Sequence, residues 1–123
     1  MSGNSLLLDT NTVLYFLEGD QTLADFFKGR KLYISVITEL ELLSFNNFTQ
    51  SELKVLTSFI DQLHVENIND QIKSIAIQIR RTSKLKLPDC IIAATSIALN
   101  VPIISADKGL KLVHGLDLII FER

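Results

Sequence analysis

The sequence predicts an α/β domain with a mostly parallel sheet covered by helices on both faces. Three observations carry that prediction. Short apolar segments alternate with longer segments of helical periodicity from one end of the chain to the other. The short segments are Leu- and Ile-rich, as strands buried on both sides are. And 123 residues, 47% hydrophobic and 21% charged, with only 5 Gly and 2 Pro, suffice for one core without linkers, repeats or low-complexity stretches, which sets the expectation of one domain over 1–123.

Each element follows from its residues. "SLLLD" is a short buried strand. "TNTVLYFLEGD" turns helical, with Val13, Phe16 and Leu17 at helical spacing and Gly19 as its stop. "QTLADFFKG" is a second short helix ending at Gly29. "KLYISV" is a strand of β-branched and aromatic type. "ITELELLSF" is helical by pattern. "TQSELKVLTSFIDQL" is an amphipathic helix opened by Thr49 or Ser51, with Leu53, Leu56, Phe59, Ile60 and Leu63 on the core side. "HVENI" is a short strand. "DQIKSIAIQIRRTSKLK" is the longest helix, with Asp70 at its start and a basic cluster in its last turns, an arrangement that suits the helix dipole. In "LPDCIIAATSIALN" an Ala-rich apolar helix follows a Pro-Asp pair. "VPIISAD" is an Ile-rich strand ending at Asp107, and "GLDLIIFE" is the last strand.

Bulk properties exclude several classes. The formal net charge of -2 does not demand nucleic acid, although a local basic patch can still serve it. One cysteine excludes an intramolecular disulfide framework and fits a reducing cytoplasm. "MSGNSLLLDT" has no basic region and only three consecutive leucines, so no signal peptide is expected. No apolar run reaches the roughly 18 residues of a membrane span.

The chemistry lies in the acids. In open parallel sheets the functional crevice lies outside the carboxyl ends of the strands. Asp9 sits where the first strand ends, Asp107 where "VPIIS" ends, and Asp89 in the first turn of a helix. Glu41 lies on the helix after "KLYIS", near the same edge. Singly, each has an ordinary structural role: Asp9 before Thr-Asn-Thr can cap a helix, Asp89 after Pro88 suits a first turn, Asp107 before "KGL" suits a turn, and Glu41 can be surface charge. Jointly, they supply one edge of the sheet. Two carboxylates about 5 Å apart repel by roughly 3 kcal/mol at an effective dielectric near 20, and several together raise one another's pKa. A hard divalent cation removes the conflict. An all-oxygen set suits Mg²⁺ or Mn²⁺, not zinc, and such a site activates water for attack on a phosphodiester, with one ion or with two roughly 4 Å apart.

These blocks resemble a known family. "LLLDTN", "ISVITELELL" and "KLKLPDCIIAATSIALNVPIISADK" look like the successive blocks of the PIN domain, specifically of the VapC-type toxins of prokaryotic toxin–antitoxin pairs, in the family's order and over nearly the whole chain. The resemblance implies a PIN-like three-layer α/β/α sandwich around a central, mostly parallel sheet of four to five strands. It implies a cytoplasmic, metal-dependent endoribonuclease in which Asp9, Glu41, Asp89 and Asp107 are catalytic and hold Mg²⁺ or Mn²⁺, while Thr10 and Asn11 support the first acid. It also implies a cognate antitoxin; the apolar composition, with a mean hydropathy of +0.29, further suits a homodimer. The family's acid after the second strand follows a Thr by three positions, which selects Glu41 from Thr38; the helical wheel does not choose between Glu41 and Glu39. The Gly often found a few residues after that acid is replaced here by Ser44-Phe45.

Other residues have shorter readings. Cys90 has no nearby His base and reads as a small buried residue. His64 and His114 stand alone. Tyr15 and Phe16 read as core. Arg80, Arg81, Lys84 and Lys86 are either a solvated helix end or a track for RNA phosphates beside the acids.

The reading is therefore a Mg²⁺- or Mn²⁺-dependent endoribonuclease in which activated water attacks RNA phosphorus and no protein nucleophile is needed. A phosphoaspartyl hydrolase needs an Asp two residues after Asp9, where Asn11 stands. A receiver-like module needs paired acids at the first strand end, where only Asp9 stands. A catalytically silent PIN-like module that binds RNA or protein is the alternative, and metal-dependent RNA cleavage separates the two.

Overall fold

The computed structural model describes residues 4–122; residues 1–3 and 123 of the expected 1–123 domain lie outside the described residues. In chain order the elements are β1 (Ser5–Leu8), α1 (Thr10–Leu17), α2 (Gln21–Phe27), β2 (Lys31–Ser35), α3 (Val36–Ser44), α4 (Gln50–Ile60), β3 (His64–Glu66), α5 (Asp70–Thr82), α6 (Leu87–Leu99), β4 (Ile103–Ser105), a 3₁₀ turn (Lys108–Leu112) and β5 (Leu118–Ile120).

The five strands form one sheet in the order β3-β2-β1-β4-β5, and every neighbouring pair is parallel. Leu7 pairs with Tyr33 on one side and Ile103 on the other, so β1 is central. The chain winds outward from β1 to β3, then crosses back to lay β4 against the other side of β1. That reversal opens a crevice between the carboxyl ends of β1 and β4, which is where open α/β sheets bind ligands.

Side-chain alternation splits the core into two layers. Leu6, Leu8, Ile34 and Ile104 point to one face, where they pack with Val13 of α1, Leu23 and Phe27 of α2, Leu42 of α3, and Leu56 and Ile60 of α4. Leu7, Tyr33 and Ile103 point to the other, against Ile72, Ala76 and Ile79 of α5 and Cys90, Ala93 and Ala94 of α6. Leu6, Leu7 and Leu8 are wholly buried, each side chain stabilising the fold by about 1.5–3 kcal/mol. With helices on both faces, the fold is a three-layer α/β/α sandwich. No helix among the described residues is long and apolar enough to cross a membrane.

Local chemistry sets the helix ends. Thr49 and Glu52 form a reciprocal capping box at the start of α4, Asn69 caps α5, and Asp20 caps α2. Element ends differ from the sequence expectation in several places: Val36, expected at the end of a strand, opens α3, and α4 stops at Ile60 instead of running to Leu63. The helix expected to run from Asp70 through Lys86 stops at Thr82, because Ser83 is extended and its hydroxyl donates to the Ile79 carbonyl at 2.8 Å. Lys84 and Lys86 therefore sit in a connecting segment instead of on a helix, and α5 is no longer than α6, each having 13 residues. The Ala-rich helix begins at Leu87, before the Pro-Asp pair, with Pro88 in the first turn where its missing N–H costs nothing. Finally, Leu53 is exposed, because α4 presents only a narrow stripe, centred on Leu56 and Ile60, to the sheet.

Candidate active site

Asp9 immediately follows β1, and Asp107 lies two residues beyond β4. Glu41 lies in the second turn of α3, which continues directly from β2. Asp89 lies in the first turn of α6. All four line one cavity of about 370 Å³, together with Thr10, Asn11, Ser44, Phe45, Ile92 and Leu110. Of the two glutamates left open on a helical wheel, Glu41 lines this cavity and Glu39 does not.

Capping and site geometry are the same contacts. Asp9 caps α1 by accepting from the Thr12 N–H at 3.2 Å, while the Thr12 hydroxyl donates to the Ile104 carbonyl at 3.0 Å and stands 3.4 Å from the same carboxylate oxygen. The other oxygen of Asp9 accepts from the hydroxyl of Ser105. Ser105 in turn accepts from the Asp107 N–H at 3.0 Å, so one buried hydroxyl at the end of β4 ties two of the acids together. Asp107 caps the 3₁₀ turn by accepting from the Gly109 N–H at 2.9 Å. A Cβ at Gly109 would stand 3.1 Å from Asp107 Oδ1, a tight contact that would push the Asp107 carboxylate by a few tenths of an ångström.

Of the two residues expected to support the first acid, Asn11 lines the cavity and its backbone N–H is the weakest of the influences that lower the Asp9 pKa. Thr10 does something else: its hydroxyl donates to Glu41 Oε1 at 2.6 Å and lies 3.2 Å from the buried Thr38 hydroxyl. The reason is that a helix N-terminus splays successive side chains apart, and Thr10 points at α3 while Thr12 turns back to Asp9. Thr12 and Ser105 were missed by sequence reasoning. The only sequence signal for Ser105 is its place two residues before Asp107 at a strand end.

Electrostatics register the crowding. Burial raises the Asp9 carboxyl above its ordinary value, against hydrogen bonds from Ser105 and Thr12 that lower it. Asp89 is raised first by burial and then by the charges of Asp107, Glu41 and Asp9, with Lys86 pulling partly the other way. The acids thus feel one another across the cavity. Among the described residues no three His, Cys, Asp or Glu side chains converge closely enough to hold an ion as they stand. Asp9 and Glu41 are instead turned onto protein hydroxyls. The chemistry of the donor set nonetheless fits a hard cation: four carboxylates, with neither thiolate nor imidazole in the lining.

The remaining expectations sort out plainly. Arg80, Arg81, Lys84 and Lys86 are exposed and lie outside the cavity lining; Lys86 is near enough to lower the pKa of Asp89. Cys90 is buried and its thiol is raised chiefly by burial, which disfavours the thiolate. His64 stacks on Tyr33 at the edge of the sheet, and His114 is exposed. Tyr15 and Phe16 pack against the core.

Comparison with known proteins agrees with this fold. The PIN domain family model matches residues 6–116. The fold superposes on VapBC2 from Rickettsia felis bound to a DNA fragment from its promoter, with a TM-score of 0.85, 18% identity, and coverage of 96% of this chain and 99% of that one. A toxin–antitoxin complex from Klebsiella pneumoniae gives a TM-score of 0.81 at 24% identity, covering 96% and 99%. DNA-bound VapBC from Salmonella typhimurium gives 0.80 at 20%, covering 94% and 97%. No curated protein sequence matches the chain.

Proposed function

The chain belongs to the PIN domain family, and from that premise we propose that it is a Mg²⁺- or Mn²⁺-dependent endoribonuclease of the VapC toxin type, acting as one domain over 1–123. The observation that carries the reading is the meeting of Asp9, Glu41, Asp89 and Asp107, drawn from positions spread over most of the chain, on one cavity at the carboxyl edge of the sheet. Structural acids have no reason to collect there against their mutual repulsion.

In this reading the four carboxylates hold the cation. A divalent ion bound there supplies Lewis-acid polarisation of a phosphodiester and activation of water. The chain's own residues set the geometry. Ser105 and Thr12 orient Asp9, Thr10 orients Glu41, and the 3₁₀ turn orients Asp107. The reaction is hydrolysis: a water oxygen bonds to phosphorus, the P–O bond to the leaving ribose oxygen breaks, and that oxygen takes up a proton. Arg80, Arg81, Lys84 and Lys86 are assigned to RNA phosphates flanking the cavity.

The partners in this reading are an RNA substrate, a second copy of the chain and a cognate antitoxin, in the cytoplasm. Its support is that the fold neighbours are themselves VapBC or toxin–antitoxin complexes. An Arg or Lys from an antitoxin can form charge-assisted hydrogen bonds to the same carboxylates and so take the cation's place.

The test is RNA cleavage by the purified chain with Mg²⁺, with Mn²⁺ and with chelator. Cleavage in either metal, absent with chelator and absent in Asp9→Asn, supports the reading. No cleavage of any cellular RNA in either metal returns the chain to the silent binding module. Sequencing the cleaved ends then identifies the target.

A further inference from the structure

An exposed aromatic ring stands at the rim of the acidic cavity. Phe45 is 44% exposed, and among the exposed large apolar side chains of the described residues it alone lines the cavity. Single exposed apolar residues are ordinary on a surface and need no explanation. This one differs in how it is held. Phe45 is the C-cap residue of α3; its N–H donates to the Leu42 carbonyl and its backbone is extended, so the chain leaves the helix there. The ring lies edge-on to Phe48, with centroids 5.9 Å apart and planes at 62°, and Phe48 packs against the core layer on the α4 side. The ring is therefore backed by a fixed neighbour, and it shares the cavity wall with Ile92 and Leu110.

The cavity poses a problem that this wall answers. It is lined by four carboxylates and by no Lys or Arg. Apart from a cation held by the acids, that lining offers an RNA backbone no positive charge, and the basic residues lie outside it. A neutral apolar surface beside the acids can hold a strand by a part that carries no charge, namely the face of a base. Base–aromatic stacking tolerates any sequence because every base has a π-face.

We propose that Phe45 is a binding residue that stacks on one nucleobase of single-stranded RNA and so seats the adjacent phosphodiester over the acids. The proposal rests on the ribonuclease reading for its substrate, but the stacking itself is measurable without cleavage.

The chain contains no Trp, so Phe45→Trp installs a lone indole reporter. In an Asp9→Asn background, which leaves the strand uncut, the indole is titrated with a single-stranded RNA of about ten nucleotides and with a ribose-phosphate oligomer of the same length that lacks bases. The expected result is quenching by the base-bearing strand and none by the abasic one. In the active chain with Mg²⁺, Phe45→Ala is expected to raise KM about tenfold with a much smaller loss of kcat, the size of one lost stacking contact. Phe45→Tyr retains the parental KM. Equal responses to the two oligomers, or a parental KM in Phe45→Ala, overturns the proposal. So does an indole spectrum that shifts with protein concentration and ignores RNA, which assigns the ring to an interface between copies. If the parent cuts no RNA in either metal the ribonuclease reading fails, and the quenching titration still decides the stacking.

Discussion

Thr10 Oγ1 donates to Glu41 Oε1 at 2.6 Å, joining the first turn of α1 to the second turn of α3 across 31 positions of chain. Through this bond the sequence neighbour of Asp9 supports a different acid from the one beside it. Thr10→Val keeps the shape and removes the donor. We expect about a 10- to 100-fold loss of cleavage or of Mn²⁺ affinity, the usual cost of removing a group that orients a metal ligand. Thr10→Ser, which keeps the hydroxyl, is expected to recover most of it. Isothermal titration with Mn²⁺ beside a cleavage assay checks this; a fully active Thr10→Val with unchanged affinity refutes it.

The two glutamates of α3 separate by the same measurements. Glu41 lines the cavity and Glu39 does not. Glu41→Gln is expected to cut activity by more than about 100-fold and to weaken Mn²⁺ binding, while Glu39→Gln leaves both within a few-fold. The reverse ranking would place the site on the wrong turn of the helix.

Asp9 makes a prediction about stability. Burial raises its folded-state pKa above the unfolded value, so the folded state prefers the protonated acid. Without metal, its contribution is fully present below the ordinary value of 3.8 and is lost as pH rises through the raised one. Asn can still accept from the Thr12 N–H and carries no charge. Asp9→Asn is therefore expected to melt at or above the parent's Tm in chelator at pH 7, with the gap closing toward pH 4, while cleavage is abolished. A variant markedly less stable than the parent at pH 7 would mean that the carboxylate is chiefly a cap.

Metal should reverse the sign. Mn²⁺ at about 100 times its Kd stabilises a single-site protein by about 2.7 kcal/mol, which scanning calorimetry reads as several degrees. The parent is expected to show this rise. Asp9→Asn, Glu41→Gln and Asp89→Asn are expected to show little of it. A rise undiminished in all three variants would place the ion elsewhere.

Expression in a host without any antitoxin tests the toxin reading. Growth is expected to stop on induction of the chain, to continue with Asp9→Asn, and to be restored by co-expression of the product of the adjacent gene. Harmless expression of the soluble parent at high level counts directly against it.

The sequence by itself determined the α/β architecture and the parallel strands, and it marked Asp9, Asp89 and Asp107 as carboxylates at element mouths. These are properties of composition and period: buried strands are apolar throughout, helices repeat near 3.6, and carboxylates at element mouths show in the one-dimensional order. It also showed that Asp9 can cap a helix and that Asp107 can open a turn, as each does. Tertiary structure alone decided the rest. The break after Thr82 depends on Ser83 turning back to the Ile79 carbonyl, a side-chain choice that helical period does not encode. Leu53 is exposed because α4 turns Leu56 and Ile60, and not Leu53, into the core layer. Glu41 stands apart from Glu39, and Thr10 serves Glu41 instead of Asp9, because α1 and α3 happen to meet there. Ser105 joins Asp9 to Asp107 only because β4 returns beside β1. A hydrogen bond between residues 96 positions apart has no local signature; it exists only once the crossover that reverses the sheet has brought its two partners to the same edge.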